Sequence, residues 1–494
     1  MREAAPQADL DRGSPESRDP QRGAGKGLFH SLSTALPPLL WTSLWLLGSL
    51  LWLAQDHVLR DGDEEGHVGA AELFAQLLHE GRWADFFTGA LAGDYGEYPP
   101  LYPAGLGLAW WGLGVHDPAA LPLRAVGLLV YGLAAALTGV AAAQLSPQPA
   151  TARGVAALGV LLLPLGNGLA RHFMPESLAL FFVAALCAAV ARAMRRPDGL
   201  AAALVGLVLG LGLLAKQTFA LYALPLLLLA ARPLRARLVG SLLLAGLIAG
   251  PWYLGHLADQ AAYTQQSLEG QAPPALWARL AYYPLVLLIE AGGPALCLGA
   301  LLSLADRAPA RRPLRHFASA ALLGGMLVLA LVPKKYPRLL APLTPALALL
   351  VAASPARPLL LAGGGLYLIG ASLLPLPQPD LYKEIDPRCP QDWIRPPIAD
   401  DQGMAALLAA LRARPPGELV VIAPPELPCA VQTTHPWIAH LPAALRRNGL
   451  DAWTLREDSV PGGTLTVDWR CGLQGEVLVP SLASGFCLGP PPGL

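Results

Sequence analysis

Long apolar windows recur along most of this chain, and this repetition constrains the fold more than any other feature. A helix needs roughly 20 apolar residues to cross a bilayer core. Charged residues make up only 14% of the chain, whereas soluble proteins carry about 25%. The sequence therefore predicts an all-α polytopic membrane protein, with candidate spans at residues 36–53, 101–115, 122–145, 154–170, 176–191, 199–215, 217–231, 238–255, 281–304, 317–333, 339–353 and 357–376.

Arginine-rich loops predict which ends of the helices face the cytoplasm. Three such loops lie at 192–196, 232–237 and 307–315, with an even number of windows between each loop and the next. Positively charged loops remain on the cytoplasmic side of a membrane. We therefore expect a multi-pass protein of the inner (plasma) membrane, whose residues 1–33 form a disordered cytoplasmic tail.

The same alternation limits how many windows cross. Three windows lie between the first span and the span at 176–191, but only an even number of them can cross. Either one of 101–115, 122–145 and 154–170 fails to cross, or two later windows form a single span. The window 101–115 is the shortest of these three and contains Pro103, which favours an interfacial or re-entrant segment. About eleven transmembrane helices are expected within a membrane domain over residues 34–376.

The last quarter of the chain differs from the rest in composition. An odd number of spans places residues 377–494 outside the cytoplasm, where we expect a small soluble α/β domain. Its patterns predict strands at 417–423 and 476–479 and a helix at 437–448. Four cysteines suit one or two disulfides, and the three possible pairings stay open; they are Cys389, Cys429, Cys471 and Cys487.

Acids and cations gather at the predicted outer face. The loop over residues 55–100 is rich in carboxylates, including Asp63 and Glu64, and Glu176 begins a span on the same side. A carboxylate can take a proton from an attacking hydroxyl, and cations stabilise a departing phosphate. The combination predicts group transfer, and the outer cations are Lys216, Lys334, Lys335 and Arg338. Zero formal net charge gives no indication of a nucleic-acid partner.

Several motifs in this order resemble the GT-C membrane glycosyltransferases, over about residues 35–376. The resemblance is closest to the branch of glycosyltransferase family 39 that holds protein O-mannosyltransferases and lipid A aminoarabinose transferases. The segments that carry it are Asp63-Glu64, Glu97-Tyr98-Pro99-Pro100-Leu101-Tyr102-Pro103, His172-Phe173-Met174-Pro175-Glu176, Gly212 to Thr218, Pro251-Trp252-Tyr253 and Tyr336 to Pro342. In two places the chain departs from the branch: Tyr98 stands where the aminoarabinose transferases have Lys, and Glu176 stands where Asp is common.

The resemblance implies a GT-C fold and an inverting transfer of a sugar from a polyprenyl-phosphate carrier to a hydroxyl acceptor, which could be a lipid, a glycan or a protein. It implies catalytic roles for Asp63, Glu64 and Glu176, and a divalent metal ion at Asp63 and Glu176 is an option that it leaves open. It further implies phosphate contacts from Lys216, Arg338 and Lys335, and a substrate lining formed by Glu97, Tyr98, His172 and Tyr336.

Other functions share some of these features. A multi-span transporter would carry charges near the bilayer midplane and often internal repeats, whereas the charges here gather at one face. A non-enzymatic scaffold would tolerate neutralised loop acids. A lipid-linked glycan ligase or polymerase would share most of the features and differ in transferring an oligosaccharide.

Overall fold

The structure is a computed structural model that describes residues 24–56, 62–92, 98–115, 120–268, 275–332 and 335–374, together with short segments and single residues farther on. At residues 24–39, 62, 63, 65, 91, 92, 263 and 266–268 only the backbone is described. Asp61, Glu97 and Lys334, which belong to the charged cluster predicted at the outer face, lie outside the described residues.

Seventeen α-helices make up most of the described chain. In order, α1 to α17 are Ala24–Gln55, Gly62–His79, Trp83–Ala92, Leu101–Leu113, Leu121–Leu145, Pro149–Leu161, Pro164–Ala170, Pro175–Arg195, Gly199–Ala215, Phe219–Leu234, Arg237–Gly255, Leu257–Leu268, Leu276–Val286, Gly293–Ala305, Arg312–Leu331, Thr344–Ala353 and Arg357–Leu373. A π-helical turn covers Leu287–Ala291, and 3-10 turns cover Pro309–Arg311 and Pro337–Leu343.

Several of the described helices are candidate spans by length and composition. Four are long and apolar enough to cross a membrane, and the pair α6 and α7, bent by 66° at its break, would make a fifth span. The described chain also has six shorter apolar segments; they are Leu40–Gln55, Gly199–Ala215, Phe219–Leu234, Gly293–Ala305, Pro337–Ala353 and Arg357–Leu373. The chain is a multi-pass membrane protein, as predicted.

Helix α4, which covers most of the window 101–115, is not among these candidate spans and shorter apolar segments. It packs instead against α2, whose Val68, Ala71 and Phe74 are fully buried. A Cβ atom at Gly107 of α4 would lie 2.5 Å from Phe74 Cβ. The glycine thus lets the two helices approach closely, and α2 and α4 form one packed unit.

The core of the bundle is formed by α8 and α16. All ten residues of α16 are buried, and α8 packs against α5, α9 and α10. Small side chains permit this density: a Cβ at Gly159 in α6 would lie 3.1 Å from Ala348 Cβ. Inside a bilayer, helices associate mainly through close packing of small residues. The packing against α5, α9 and α10 therefore fixes the position of α8.

Beyond residue 374 the structure describes two pairs of short strands. β1 (Glu418–Val421) pairs in parallel with β2 (Thr454–Glu457), and β3 (Val479–Ser481) pairs antiparallel with β4 (Gly485–Cys487). β1 lies within the strand predicted at 417–423, and β3 overlaps the strand predicted at 476–479 only at Val479. Apart from Leu445, the predicted helix 437–448 lies outside the described residues, as do Cys389, Cys429 and Cys471. A separate soluble α/β domain and its disulfides stay predictions.

Candidate active site

Glu176 lies at the start of α8, with its side chain fully buried. Pro175 occupies the first helical turn, where its fixed φ suits a helix start and its missing N–H costs nothing. An acid in that turn is stabilised by the positive end of the helix dipole. The local sequence therefore places a carboxylate at the helix end, and two cations from distant parts of the chain meet it there.

The first cation is Lys216, which follows the last residue of α9. Its backbone is extended and ends the helix, and a cation at that position also suits the negative end of the helix dipole. The turn is tight because Gly212 faces a ring: a Cβ there would lie 2.3 Å from Phe219 Cε1. In this turn the Lys216 Nζ donates to Glu176 Oε1 over 2.5 Å.

The second cation is Arg338, in the 3-10 turn Pro337–Leu343. Its Nε lies 3.3 Å from Glu176 Oε1, and its guanidinium lies over the ring of Tyr336, 5.2 Å from the centroid. Tyr222 of α10 fixes this turn by donating its hydroxyl hydrogen to the Leu339 carbonyl over 2.9 Å. A single carboxylate oxygen is therefore shared by two buried cations.

Glu64 of α2 forms a second buried acidic centre. Its Oε1 accepts a hydrogen bond of 2.8 Å from the Phe173 backbone N–H, and its Oε2 lies 3.5 Å from His172 Nδ1. Burial acts to raise the pKa of Glu64, but His172, Arg124 and the Phe173 N–H together hold that pKa below its ordinary value. Glu64 therefore ties α2 to the turn that precedes α8.

The two acidic centres are linked through the turn before α8, because Glu64 binds the Phe173 N–H three residues before Glu176. Tyr102 of α4 is influenced by both: its pKa is raised well above the ordinary value by burial first, and then by the charges of Glu64 and Glu176. Its ring packs edge-on against His67, 5.5 Å between centroids, and Tyr98 packs on the same histidine at 4.9 Å. The Tyr102 side chain is therefore within electrostatic range of both carboxylates.

A third ion pair was missed by sequence reasoning. Arg124 Nη2 lies 2.7 Å from Asp56 Oδ2, and both side chains are almost completely buried. Arg124 also donates 3.2 Å to the Arg171 carbonyl, so it braces the turn that carries His172. The sequence did indicate Arg124, because it is the single charge in the window 122–145 and charged residues in membrane segments are commonly functional.

The other predicted site residues divide between this site and other places. The His172 ring lies between Glu64 and Trp52, at 5.7 Å from the Trp52 ring centroid. Lys335 is directed elsewhere: its Nζ donates to the carbonyls of Leu329 and Ala330 over 2.7 and 3.1 Å, and the described ion pairs give it no contact with Glu176. The backbone of Asp63 lies one residue before Glu64 in α2, while its side chain is outside the described atoms.

The described residues contain no group of three or more His, Cys, Asp or Glu side chains placed to hold a metal ion. Glu176, one of the two acids expected to contact a metal, is instead occupied by Lys216 and Arg338. The carboxylate of Asp63, the other expected metal ligand, is not among the described side chains. A divalent ion at this pair stays a prediction.

Comparison with known proteins supports the fold. No family model and no curated protein matches the sequence. Among solved structures, the crystal structure of ArnT from Cupriavidus metallidurans bound to undecaprenyl phosphate matches with a TM-score of 0.56 and 15% identity, over 86% of this chain and 86% of that chain. The apo-state structure of the same protein matches with a TM-score of 0.48 and 15% identity, over 87% of this chain and 75% of that chain.

The match to the undecaprenyl phosphate complex shows that this chain has the ArnT fold. The GT-C fold predicted from the sequence is thereby confirmed.

Proposed function

We propose that this protein is an inverting glycosyltransferase that moves a sugar from a polyprenyl-phosphate carrier to a hydroxyl acceptor at the outer face of the membrane. The observation that carries the proposal is the pair of buried cations, Lys216 and Arg338, gathered on Glu176 at the end of a span. The chain that carries this cluster has the fold of ArnT, whose crystal structure holds undecaprenyl phosphate.

The cations can hold a phosphate while they remain bound to Glu176. Lysine has three N–H donors and arginine has five, and Glu176 Oε1 engages one nitrogen of each residue. Charge-assisted bonds from such groups to phosphate are roughly twice as strong as neutral hydrogen bonds. We infer that Lys216 and Arg338 bind the carrier phosphate, and that Glu176 keeps both in place.

Helix α2 supplies the group that accepts the proton, Asp63, and the neighbouring Glu64 positions it. Glu64 is held by the Phe173 N–H and His172, so it fixes this turn of α2 and with it the backbone of Asp63. In the proposed step the acceptor oxygen bonds to the anomeric carbon and its proton passes to the Asp63 carboxylate. The bond from that carbon to the phosphate oxygen breaks, and the phosphate leaves with the electron pair. Attack from the face opposite the phosphate inverts the anomeric centre.

The first experiment tests the phosphate site without knowledge of the sugar. Purified full-length protein in detergent is titrated with undecaprenyl phosphate, and binding is followed by native mass spectrometry. Lys216→Gln and Arg338→Gln should each weaken binding about tenfold or more, because each removes a charge-assisted bond. Arg82→Gln is the matched control, since Arg82 is 54% exposed at the end of the α2–α3 turn. Unchanged binding in both site variants would reject the phosphate assignment.

The second experiment tests the reaction. Lipids and proteins of the cell envelope are compared by mass spectrometry with and without this protein, which identifies the transferred group. The corresponding undecaprenyl-phosphate sugar is then supplied to proteoliposomes that hold wild type, Asp63→Asn or the exposed control Asp85→Asn. Loss of a general base lowers the rate by about 10² to 10⁴. Equal rates in wild type and Asp63→Asn would reject that role, and transfer of a whole oligosaccharide would instead indicate a ligase or polymerase.

A further inference from the structure

A groove runs between α1 and α17. Its volume is about 480 Å³ and its walls are mainly aliphatic and aromatic. Several lining side chains are also half-exposed or more on the outside of the bundle, notably Leu44, Leu51, Ile369 and Leu373. Because α1 and α17 are apolar candidate spans, this exposed rim faces the hydrocarbon of the bilayer.

The groove contains one cationic side chain, Arg171, which is only 8% exposed. Its guanidinium lies over the ring of Trp52, 4.9 Å from the centroid. Its Nη2 lies 3.5 Å from Ser49 Oγ, at the limit of a hydrogen bond, and its Nε has no hydrogen-bond partner. A buried guanidinium therefore lies against the groove with most of its donors unused.

No described ion pair compensates the charge of Arg171. Asp56, whose charge acts on Arg171, forms its ion pair with Arg124 at 2.7 Å, and the ion pairs of the described chain include none to Arg171. A buried charge without a partner is costly. An anion that enters the groove would remove this cost, whereas a neutral occupant would not.

We propose that this groove binds an anionic phospholipid of the surrounding bilayer, with the head-group phosphate on Arg171 and Ser49 and an acyl chain along α1 towards Trp41. From Ser49 to Trp41 the helix rises about 12 Å, comparable to the roughly 15 Å of hydrocarbon in one leaflet. Trp52 contacts both Arg171 and His172. The lipid site therefore lies one aromatic ring from the active-site turn, but it does not depend on the proposed glycosyl transfer.

Photo-crosslinking tests this site directly. Full-length protein is reconstituted with phosphatidylglycerol that carries a diazirine in one acyl chain, irradiated and digested, and labelled peptides are mapped by mass spectrometry. We expect labelling of α1 and α17, and weaker labelling with phosphatidylcholine of the same chains. Gly48→Phe should abolish it, because Gly48 lines the groove and open space surrounds its Cβ position. Gly246→Phe is the matched control, since Gly246 is equally open but lies on α11.

The charge is tested separately. Arg171→Gln should lower labelling by phosphatidylglycerol about tenfold and remove the preference over phosphatidylcholine, as expected for loss of one charge-assisted contact. Wild-type labelling in Gly48→Phe, or equal labelling by the two lipids in wild type, would overturn the proposal. If Arg171→Gln does not fold, those two measurements still decide it.

Discussion

The two buried acids of the site, Glu64 and Glu176, are equally hidden from solvent and are stabilised in different ways. Glu64 lies on a helix outside the candidate spans and is held by a backbone N–H and an imidazole. Glu176 begins a span and is held by two full positive charges. Their immediate partners therefore differ, although both carboxylates act on the pKa of Tyr102.

The difference indicates a division of labour. In the proposed function, Glu64 positions α2 and its neighbour Asp63 through its bonds to the Phe173 N–H and His172. A carboxylate between two cations is compensated in charge, and in the proposed function Glu176 holds Lys216 and Arg338 in place for a phosphate. Loss of charge should accordingly be far more costly at Glu176 than at Glu64.

The largest effect should follow from Glu176→Gln, which keeps the shape and removes the charge. Lys216 and Arg338 would then share a neutral amide in a buried place, and removal of one partner from a buried ion pair costs about 3–5 kcal/mol. The free energy of unfolding in detergent, measured with a denaturant series, should fall by that amount, while the exposed control Asp85→Asn should leave it unchanged. A loss no greater than that of Glu64→Gln would contradict the comparison.

A smaller effect should follow from Gly107→Ala, which acts on the support of Glu64. The added Cβ would lie 2.5 Å from Phe74 Cβ and 2.7 Å from the Ala71 carbonyl, so α4 would be pushed away from α2 at a cost of about 1–3 kcal/mol. Gly105→Ala is the control, because nothing lies within 4 Å of its Cβ position. If both variants were as stable as wild type in a thermal unfolding assay, the tight contact between α2 and α4 would be ruled out.

Glu64→Gln should cost less, about 1 kcal/mol, because the amide oxygen can still accept from the Phe173 N–H and only the charge assistance is lost. Denaturant unfolding at neutral pH gives this value. Glu64→Leu should cost more than Glu64→Gln, since the buried N–H would then lack an acceptor. Equal stability of these two variants would show that the hydrogen bond contributes nothing.

The smallest effect concerns pH. The pKa of Glu64 is lowered on folding from an ordinary value of 4.5, so its ionised form contributes stability above about pH 4.5, and this contribution is lost as the pH falls through the folded-state pKa. The stability difference between wild type and Glu64→Gln should therefore be constant from pH 7 to 5 and shrink below 4.5. A difference that grows towards acid would mean that the folded-state pKa is raised.

The sequence predicted the bundle well and the site unevenly. Apolar windows report directly on lipid exposure, so the apolar helices follow from hydropathy, whereas charge alternation left open which of the windows 101–115, 122–145 and 154–170 fails to cross. Glu176, Lys216 and Arg338 were recognisable because each is a charge at the end of an apolar window. Their convergence on one oxygen atom was not, because it depends on how α8, α9 and the turn at 337–343 pack.

Lys335 illustrates the limit of such reasoning. Its place beside Arg338 in the sequence predicted a shared phosphate site, but the structure directs its ammonium group to the carbonyls at the end of α15. The last carbonyls of a helix have no partner within the helix and readily accept a hydrogen bond from a nearby lysine. Hydropathy does not reveal that the chain after α15 turns back so that Lys335 reaches them. The pair Asp56 and Arg124 was overlooked for the related reason that its members are far apart in sequence.

By itself, the sequence determined that this chain forms a bundle of membrane helices. It also located most of the charges at the ends of those helices, because a charge in lipid is costly and therefore rare in an apolar window. Only the tertiary structure decided which charges meet. Glu64 and Glu176 lie at the two ends of one turn, and Arg171 lines the groove between α1 and α17. These positions depend on how the helices pack, and the spacing of residues along the chain does not give them.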